Sequence, residues 1–433
     1  MTRLTFADRV LLSLFLSLVF AAPAAATNGM YLVGYGAEVA GRAGANLAVA
    51  DRSLGLQANP AGIAQMQGQH FGIDGQLLVP KLDFVDPYGH AIDAKSSVFA
   101  MPSLSYVRGA KASPWTFGAG LISQGGMGAT FEGYQTPFGT TDGTYSEVRF
   151  LTLTPTVAYA VNEDVAVGVS LNAGYSDVKF RFYPNTSYYD GGTGYGFFGA
   201  DLTERAKAWN WSTRVGAMWT ATPRLQFGAM YQTKTQGDYE NGKLGLNQSA
   251  IGLGEVTYDA KVEGFAWPAQ FGGGVQVRPA DRWMITADVR RYLWSDAMKE
   301  IDVRGSNPDA ASPVTAPVMA FVFNWRDVWA TSVGAEYRAT PALTLRAGWN
   351  DGQNPVPDGT LNPLFPAITE QHVTAGGSWT WGGNSLHLAV ERAFESGQTN
   401  PNTDPNVNPF GPGSRVDHSQ WTLSAGFSRA FSR

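Results

Sequence analysis

Val165-Ala166-Val167-Gly168-Val169-Ser170-Leu171-Asn172-Ala173-Gly174-Tyr175 alternates without a break. Its odd positions are Val, Leu, Ala and Tyr; its even positions are Ala, Gly, Ser and Asn. A β-strand sends successive side chains to opposite faces, so one face here is apolar and the other small or polar. Asn162-Glu163-Asp164, immediately before it, is a short polar turn. The same unit recurs downstream. Leu225, Phe227, Ala229 and Tyr231 oppose Gln226, Gly228 and Gln232, and Leu343, Leu345, Ala347 and Trp349 oppose Thr344, Arg346, Gly348 and Asn350. Trp421, Leu423, Ala425 and Phe427 oppose Thr422, Ser424, Gly426 and Ser428.

Short polar punctuations at 108–114, 162–164, 220–224, 278–282, 339–342 and 382–384 alternate with long connections. Antiparallel strands with short turns at one end and long, irregular loops at the other are the layout of an outer-membrane β-barrel. The pattern predicts fourteen strands, near 70–79, 97–107, 115–131, 147–160, 164–183, 206–219, 225–238, 258–277, 283–301, 327–338, 343–351, 370–381, 385–395 and 418–431. An even count places both termini on the short-turn, periplasmic side. Trp115, Tyr159, Trp219, Trp283, Tyr337, Trp381 and Phe431 cluster beside the short turns, where an interface belt is expected. Tyr231, Trp294, Trp349, Phe394 and Trp421 form a second set near the long-loop ends.

Composition agrees. Charged residues are only 15% of the 433, and the net charge of −5 has no basic stripe, which excludes nucleic acid as a partner class. With no cysteine there is neither a disulfide scaffold nor a thiolate metal site, and no cofactor is expected. Residues 1–26 read as a secretory signal: Arg3 and Arg9, an apolar run Val10–Phe20, and Ala24-Ala25-Ala26 for cleavage. Downstream there is no apolar stretch of 18 residues. A membrane chain without such helices must close its strands into a ring, because open edges in lipid leave backbone groups unpaired. The cell outer membrane of a Gram-negative bacterium is the expected location, its lipids the surroundings, and a monomer the expected state.

Residues 27–66 do not alternate and are rich in Gly and Ala. Their apolar content (Met30, Tyr31, Leu32, Val33, Leu47, Leu54, Ile63) argues against a disordered tail. We expect them to enter the barrel, residues 67–433, from its periplasmic end as a hatch plugging the lumen. Asn59-Pro60-Ala61-Gly62 reads as a tight turn, with Gly62 permitting the reversal. In the third predicted strand, Gly118–Ser123 alternates and then gives way to Gln124-Gly125-Gly126-Met127-Gly128, so that Ser123, Gln124, Gly125, Gly126, Met127 and Gly128 are the candidate kink. So many glycines weaken a strand and mark a bulge or bend.

With Gly41-Arg42-Ala43, Ala48-Val49-Ala50-Asp51 and Asn59-Pro60-Ala61-Gly62, the chain resembles the FadL/TodX family of outer-membrane transporters for long-chain fatty acids and other hydrophobic compounds. Trp325-Arg326-Asp327, Arg346-Ala347-Gly348-Trp349 and Pro355-Val356-Pro357 add to the resemblance. It implies a fourteen-stranded barrel plugged by an N-terminal hatch. Cargo would be captured at the extracellular loops and released sideways at the kinked third strand. It also implies that Thr27, Asn28, Gly29, Met30 and Tyr31 lie against the ligand and that Arg181 and Arg326 serve its head group. Tyr183–Lys207 and Asn241–Gly264 would line the outer groove. Fatty acids are the first expectation; aromatic or alkane hydrocarbons are the alternative, and a general diffusion porin a further one. No catalytic residue or metal ligand is expected, since the five histidines fall in no Ser/His/acid signature.

Overall fold

The computed structural model describes residues 28–49, 52–95, 97–110, 113–235 and 237–431. The expected leader, Thr27 and the last two residues lie outside them. Its first strands are β1 (Gly68–Val85), β2 (Ala91–Asp93), β3 (Phe99–Gly109), β4 (Trp115–Gln135), β5 (Thr141–Ala160) and β6 (Val165–Asp190). Next come β7 (Tyr195–Glu204), β8 (Ala206–Thr222), β9 (Leu225–Gln232), β10 (Tyr239–Asn247), β11 (Glu255–Glu263), β12 (Gln270–Ala280) and β13 (Trp283–Tyr292). The remainder are β14 (Glu300–Ser306), β15 (Val318–Val322), β16 (Val328–Arg338), β17 (Leu343–Gly352), β18 (Gln371–Trp381), β19 (Asn384–Asn400) and β20 (Ser414–Phe431).

All of these strands belong to one antiparallel sheet, and β1 closes on β20 from Gln69↔Phe431 to Val85↔Arg415. The alternating pattern therefore ends in a closed transmembrane β-barrel. The expected count of fourteen strands is corrected. Among the described residues the sheet has twenty strands, sixteen in a closed circuit and four (β2, β11, β14, β15) outside it. The difference arises in segments read as loops. β6 pairs with β8 over Val165–Val178, then continues upward, where β7 pairs with β6 and β10 with both β7 and β8. The predicted 258–277 strand is broken at Gly264, whose φ of 81° turns the chain before β12. The 283–301 strand is broken by the 3₁₀ turn Trp294–Asp296. Ladders extend above the wall because backbone groups in long connections still need partners.

The faces follow the alternation. Val167, Val169 and Leu171 are exposed, with Leu171 at 49%, while Ala166, Ser170 and Asn172 are buried. An outward apolar face exposed to this degree is the lipid-facing surface of a barrel. Near the short turns Trp115 faces Tyr159 and Trp283 faces Tyr337 across adjacent strands, each with ring centroids 4.6 Å apart. Trp294 does not join the upper belt: it is fully buried and packs on Trp325.

The described residues between Asn28 and Ile63 are buried almost throughout, with helix α1 (Ala37–Ala40) and 3₁₀ turns at Ser53–Gln57 and Pro60–Gln65. Glycines on strands around the ring allow it close. A Cβ at Gly348 would lie 2.5 Å from the Arg42 backbone, at Gly228 1.9 Å from the Leu47 carbonyl, and at Gly168 2.5 Å from the Ala61 nitrogen. Asn59-Pro60 does not reverse the chain at Gly62. Asn59 instead caps the 3₁₀ turn, accepting a hydrogen bond from the Ala61 amide at 3.1 Å, with Pro60 in the first position where its missing N–H costs nothing. The Asn59 amide also donates to the carbonyls of Leu47 (2.8 Å) and Ala217 (3.0 Å), tying the segment to β8.

Candidate functional site: an internal cavity beside a break in the wall

β4 carries the irregularity predicted from its glycines; it is the fourth strand because short β2 precedes β3. Its register with β5 slips between Ser123↔Leu151 and Gly125↔Phe150, leaving Gln124 as the extra residue of a bulge. The bulge is held from inside. Tyr35 Oη donates to the Gln124 carbonyl at 2.6 Å, the Gln57 side chain bonds the Gln124 side chain, and Gly125 forms a bridge with Tyr31. Gly125 permits that approach, since a Cβ there would lie 2.2 Å from the Met30 carbonyl.

As β4 turns inward it leaves β3. Their ladder runs from Gly109↔Thr116 to Ser103↔Ile122 and stops, while β4 stays paired with β5 as far as Gln135. Pro102 stands at the end of the ladder and its carbonyl accepts from Ser123 Oγ at 2.8 Å. The N–H and C=O of a strand residue face the same neighbour, so the N–H that Pro102 lacks is missing on the β4 side. Above the break the chain is rejoined where the Lys95 amide donates to the Thr130 carbonyl at 2.9 Å. Among the described residues, Ser123–Ala129 have no ladder partner on the β3 side.

Behind this break lies a cavity of about 470 Å³. Asn28–Val33 line one side, and Phe99, Met101 and Pro102 of β3 face Ser123 and Gly125–Gly128 of β4. Val148 and Phe150 of β5 extend the apolar lining, and Phe150 is backed by a stacked Trp267 at 4.7 Å. Burial pushes the Tyr31 phenol well above its ordinary pKa, with Tyr292 adding to the effect, so the ring stays neutral against the cavity. The polar groups at the rim are largely satisfied by one another. Arg149 holds Asp177 through two hydrogen bonds (3.0 and 2.7 Å), and Arg205 bridges Asp177 and Glu147. On the far side His372 and Glu391 pair at 2.9 Å, with His418 nearby in the lining.

The structure thus brings Asn28, Gly29, Met30 and Tyr31 together with Ser123, Gly125, Gly126, Met127 and Gly128 around one space. Gln124 points away into the contacts with Gln57 and Thr152. Asn59, Pro60, Ala61 and Gly62 pack on β6 and β8, apart from the cavity. Neither arginine lines it. Arg181 is 48% exposed, paired with Asp201 at 3.0 Å and lying over the Tyr145 ring. Among the described residues the Arg326 side chain hydrogen-bonds only the Val356 carbonyl, at 3.4 Å. Of the proposed outer groove, Tyr188, Tyr189 and Tyr195 are exposed and Phe197 stacks on Phe138 at 4.3 Å, whereas Leu244 and Leu246 are buried in the core. Sequence reasoning missed the β3 edge, Phe150, His372, Glu391 and His418. Their one signal was an inward place in an alternating strand.

A model of the family described as outer membrane protein transport protein (OMPP1/FadL/TodX) matches residues 18–431. Among solved structures, the Pseudomonas putida toluene transporter TodX is similar at 23% identity and a TM-score of 0.75, over 94% of this chain and 100% of that one. The Ralstonia pickettii toluene transporter TbuX is similar at 21% identity and TM-score 0.74, over 93% and 99%. A Pseudomonas aeruginosa FadL homologue is similar at 16% and 0.73, over 93% and 100%. At these identities the likeness is one of fold. No curated protein matches the sequence.

Proposed function

The chain belongs to the outer membrane protein transport protein family (OMPP1/FadL/TodX), transporters of hydrophobic compounds, and from that premise we propose that cargo leaves sideways through the break between β3 and β4. The observation that carries this reading is that one cavity touches both edges of that break. Its volume falls in the range of roughly 300–1,000 Å³ in which pockets bury a whole small molecule. Cargo collected by the aromatic surface around Phe138, Tyr188 and Phe197 would move inward to it.

The physical case rests on desolvation. Each CH₂ taken from water gains about 0.8 kcal/mol, so a ten-carbon chain gains on the order of 8 kcal/mol on entering an apolar site. Leaving downward into periplasmic water would return that gain. Leaving into lipid returns almost none of it, because the hydrocarbon core is as apolar as the cavity. Residues 28–66 act in this reading as the hatch that denies the downward route, which also disfavours a general diffusion porin. Long-chain fatty acids are the first substrate class on cavity size. Monoaromatic hydrocarbons are the second reading, favoured by the likeness to two toluene transporters.

Deleting Gln124 tests the route, since removing the extra residue leaves the registers on both sides intact. The expected outcome is slow uptake of decanoate by cells carrying normal amounts of the variant in the outer membrane. Wild-type uptake by that variant overturns lateral exit.

A further inference from the structure

We propose that Arg278, Arg282 and Arg338 form a binding site for a phosphate group, that of a membrane lipid headgroup, at the short-turn end of the barrel. The site is separate from the cavity beside the break and does not depend on the exit route. It is a second cavity, of about 250 Å³, walled by the ends of β12, β13, β16, β17 and β18. Four arginines line it against two acids, in a chain whose net charge is −5. The acids are already engaged. Asp281 pairs with Arg224 at 3.5 Å, and Glu336 pairs with Arg42 at 3.0 Å and Arg346 at 2.8 Å. Arg52 is held by Glu38 at 2.8 Å. The other three arginines differ: among the described residues, the side chains of Arg278, Arg282 and Arg338 make no hydrogen bond or ion pair. Arg282 and Arg338 are exposed and Arg278 partly so, which leaves their side chains open to a guest.

The sheet itself gathers these charges. The Arg338 amide donates to the Arg282 carbonyl at 2.8 Å, joining their turns. Like charges in one concave space repel one another and focus a positive potential, which an anion relieves. A guanidinium offers paired N–H donors that match the oxygens of a phosphate. The membrane supplies that group at this height. Trp283 lines the cavity and faces Tyr337 in the aromatic belt, with ring centroids 4.6 Å apart. Belt rings sit at headgroup level, so the cavity opens where lipid phosphates lie. Basic residues beside that surface attract anionic headgroups. The charge is confined to one sector of the rim, since the short turn at 162–164 carries Glu163 and Asp164 instead.

The test uses the full-length protein in a neutral detergent. It measures binding of radiolabelled dioleoylphosphatidylglycerol, dioleoylglycerol and inorganic phosphate, the two lipids corrected for partition into empty micelles. The phosphatidylglycerol is expected to bind roughly tenfold more tightly than the diglyceride with the same chains, as three half-exposed charge pairs allow. That ratio should shrink as added salt screens the charges. Arg278→Gln, Arg282→Gln and Arg338→Gln together should bring it to within about threefold, in protein whose barrel is verified by heat-modifiable migration. Lys81→Gln, Arg304→Gln and Arg415→Gln remove as many charges from residues already in ion pairs, and should leave the ratio unchanged. Equal binding of the two lipids by the unaltered protein overturns the proposal, and needs no variant to fold. A preference that survives the triple change at 278, 282 and 338 overturns the assignment to these arginines. Inorganic phosphate bound so that phosphatidylglycerol does not displace it overturns the lipid source. None of these readings involves uptake, so lateral exit stands or falls separately.

Discussion

Glu38 shows how single side chains hold the N-terminal segment. Burial alone would raise its pKa, but Arg52, His387, Arg346 and Arg42 outweigh that and hold it at about 2. Arg52 pairs with it at 2.8 Å and Arg346 at 3.2 Å. A carboxylate whose pKa is lower folded than unfolded stabilises the fold above its ordinary value and loses that contribution as pH falls through the folded value. The anchoring from Glu38 is thus complete above about pH 4.5 and lost on the way down to about pH 2. Limited proteolysis of the segment should accelerate across that window, and Glu38→Gln should flatten the dependence there. Asn59 carries a different load, with its two ends bonded to Ala61, Leu47 and Ala217. Asn59→Ala strands buried carbonyls and is expected to cost roughly 1–3 kcal/mol, read as easier denaturant-induced release of the segment.

Elements make the site by departing from regular pairing. β4 is long enough to serve two partners, β3 below Ile122 and the N-terminal segment above it. The bulge at Gln124 lets one strand change allegiance without losing its ladder to β5. Close glycine contacts perform the matching task on other strands. At Gly216 a Cβ would sit 2.0 Å from the Asn59 side-chain oxygen. Gly216→Ala must move either the cap or the strand, an overpacking cost of roughly 1–3 kcal/mol. Its signature should be a lowered thermal midpoint with unchanged outer-membrane insertion, since the outward face is untouched.

The barrel stands between lipid and water. Its outer belt of Trp and Tyr pairs fixes its depth in lipid, and a buried N-terminal segment packs against strands from β1 round to β18. If that segment acts as the hatch we propose, the intact protein should pass little steady ion current in planar bilayers. Removing residues 28–66 should then produce large, stable conductance steps. Low conductance in the deletion variant, with the barrel verified by heat-modifiable migration, would place the seal elsewhere.

Alternation, punctuation and the aromatic clusters made the membrane barrel legible, because strand faces repeat every two residues and lipid demands apolar ones outward. The glycine-weakened stretch at 123–128 was legible too, since glycine forms poor strand wherever it falls. Strand number was not: β7, β10 and β15 lie in segments read as connections, and the turns at Gly264 and Trp294–Asp296 divide the predicted 258–277 and 283–301 strands, so that β11 and β14 stand as strands of their own. Nor was the direction of the two arginines, Arg181 being taken by Asp201 across a strand pair that exists only in three dimensions. The cavity belongs to the same class. His372 on β18 and His418 on β20 share one space with Gly125–Gly128 of β4 only because the sheet closes between β20 and β1, and closure is decided by pairing between chain ends rather than by any local run of residues.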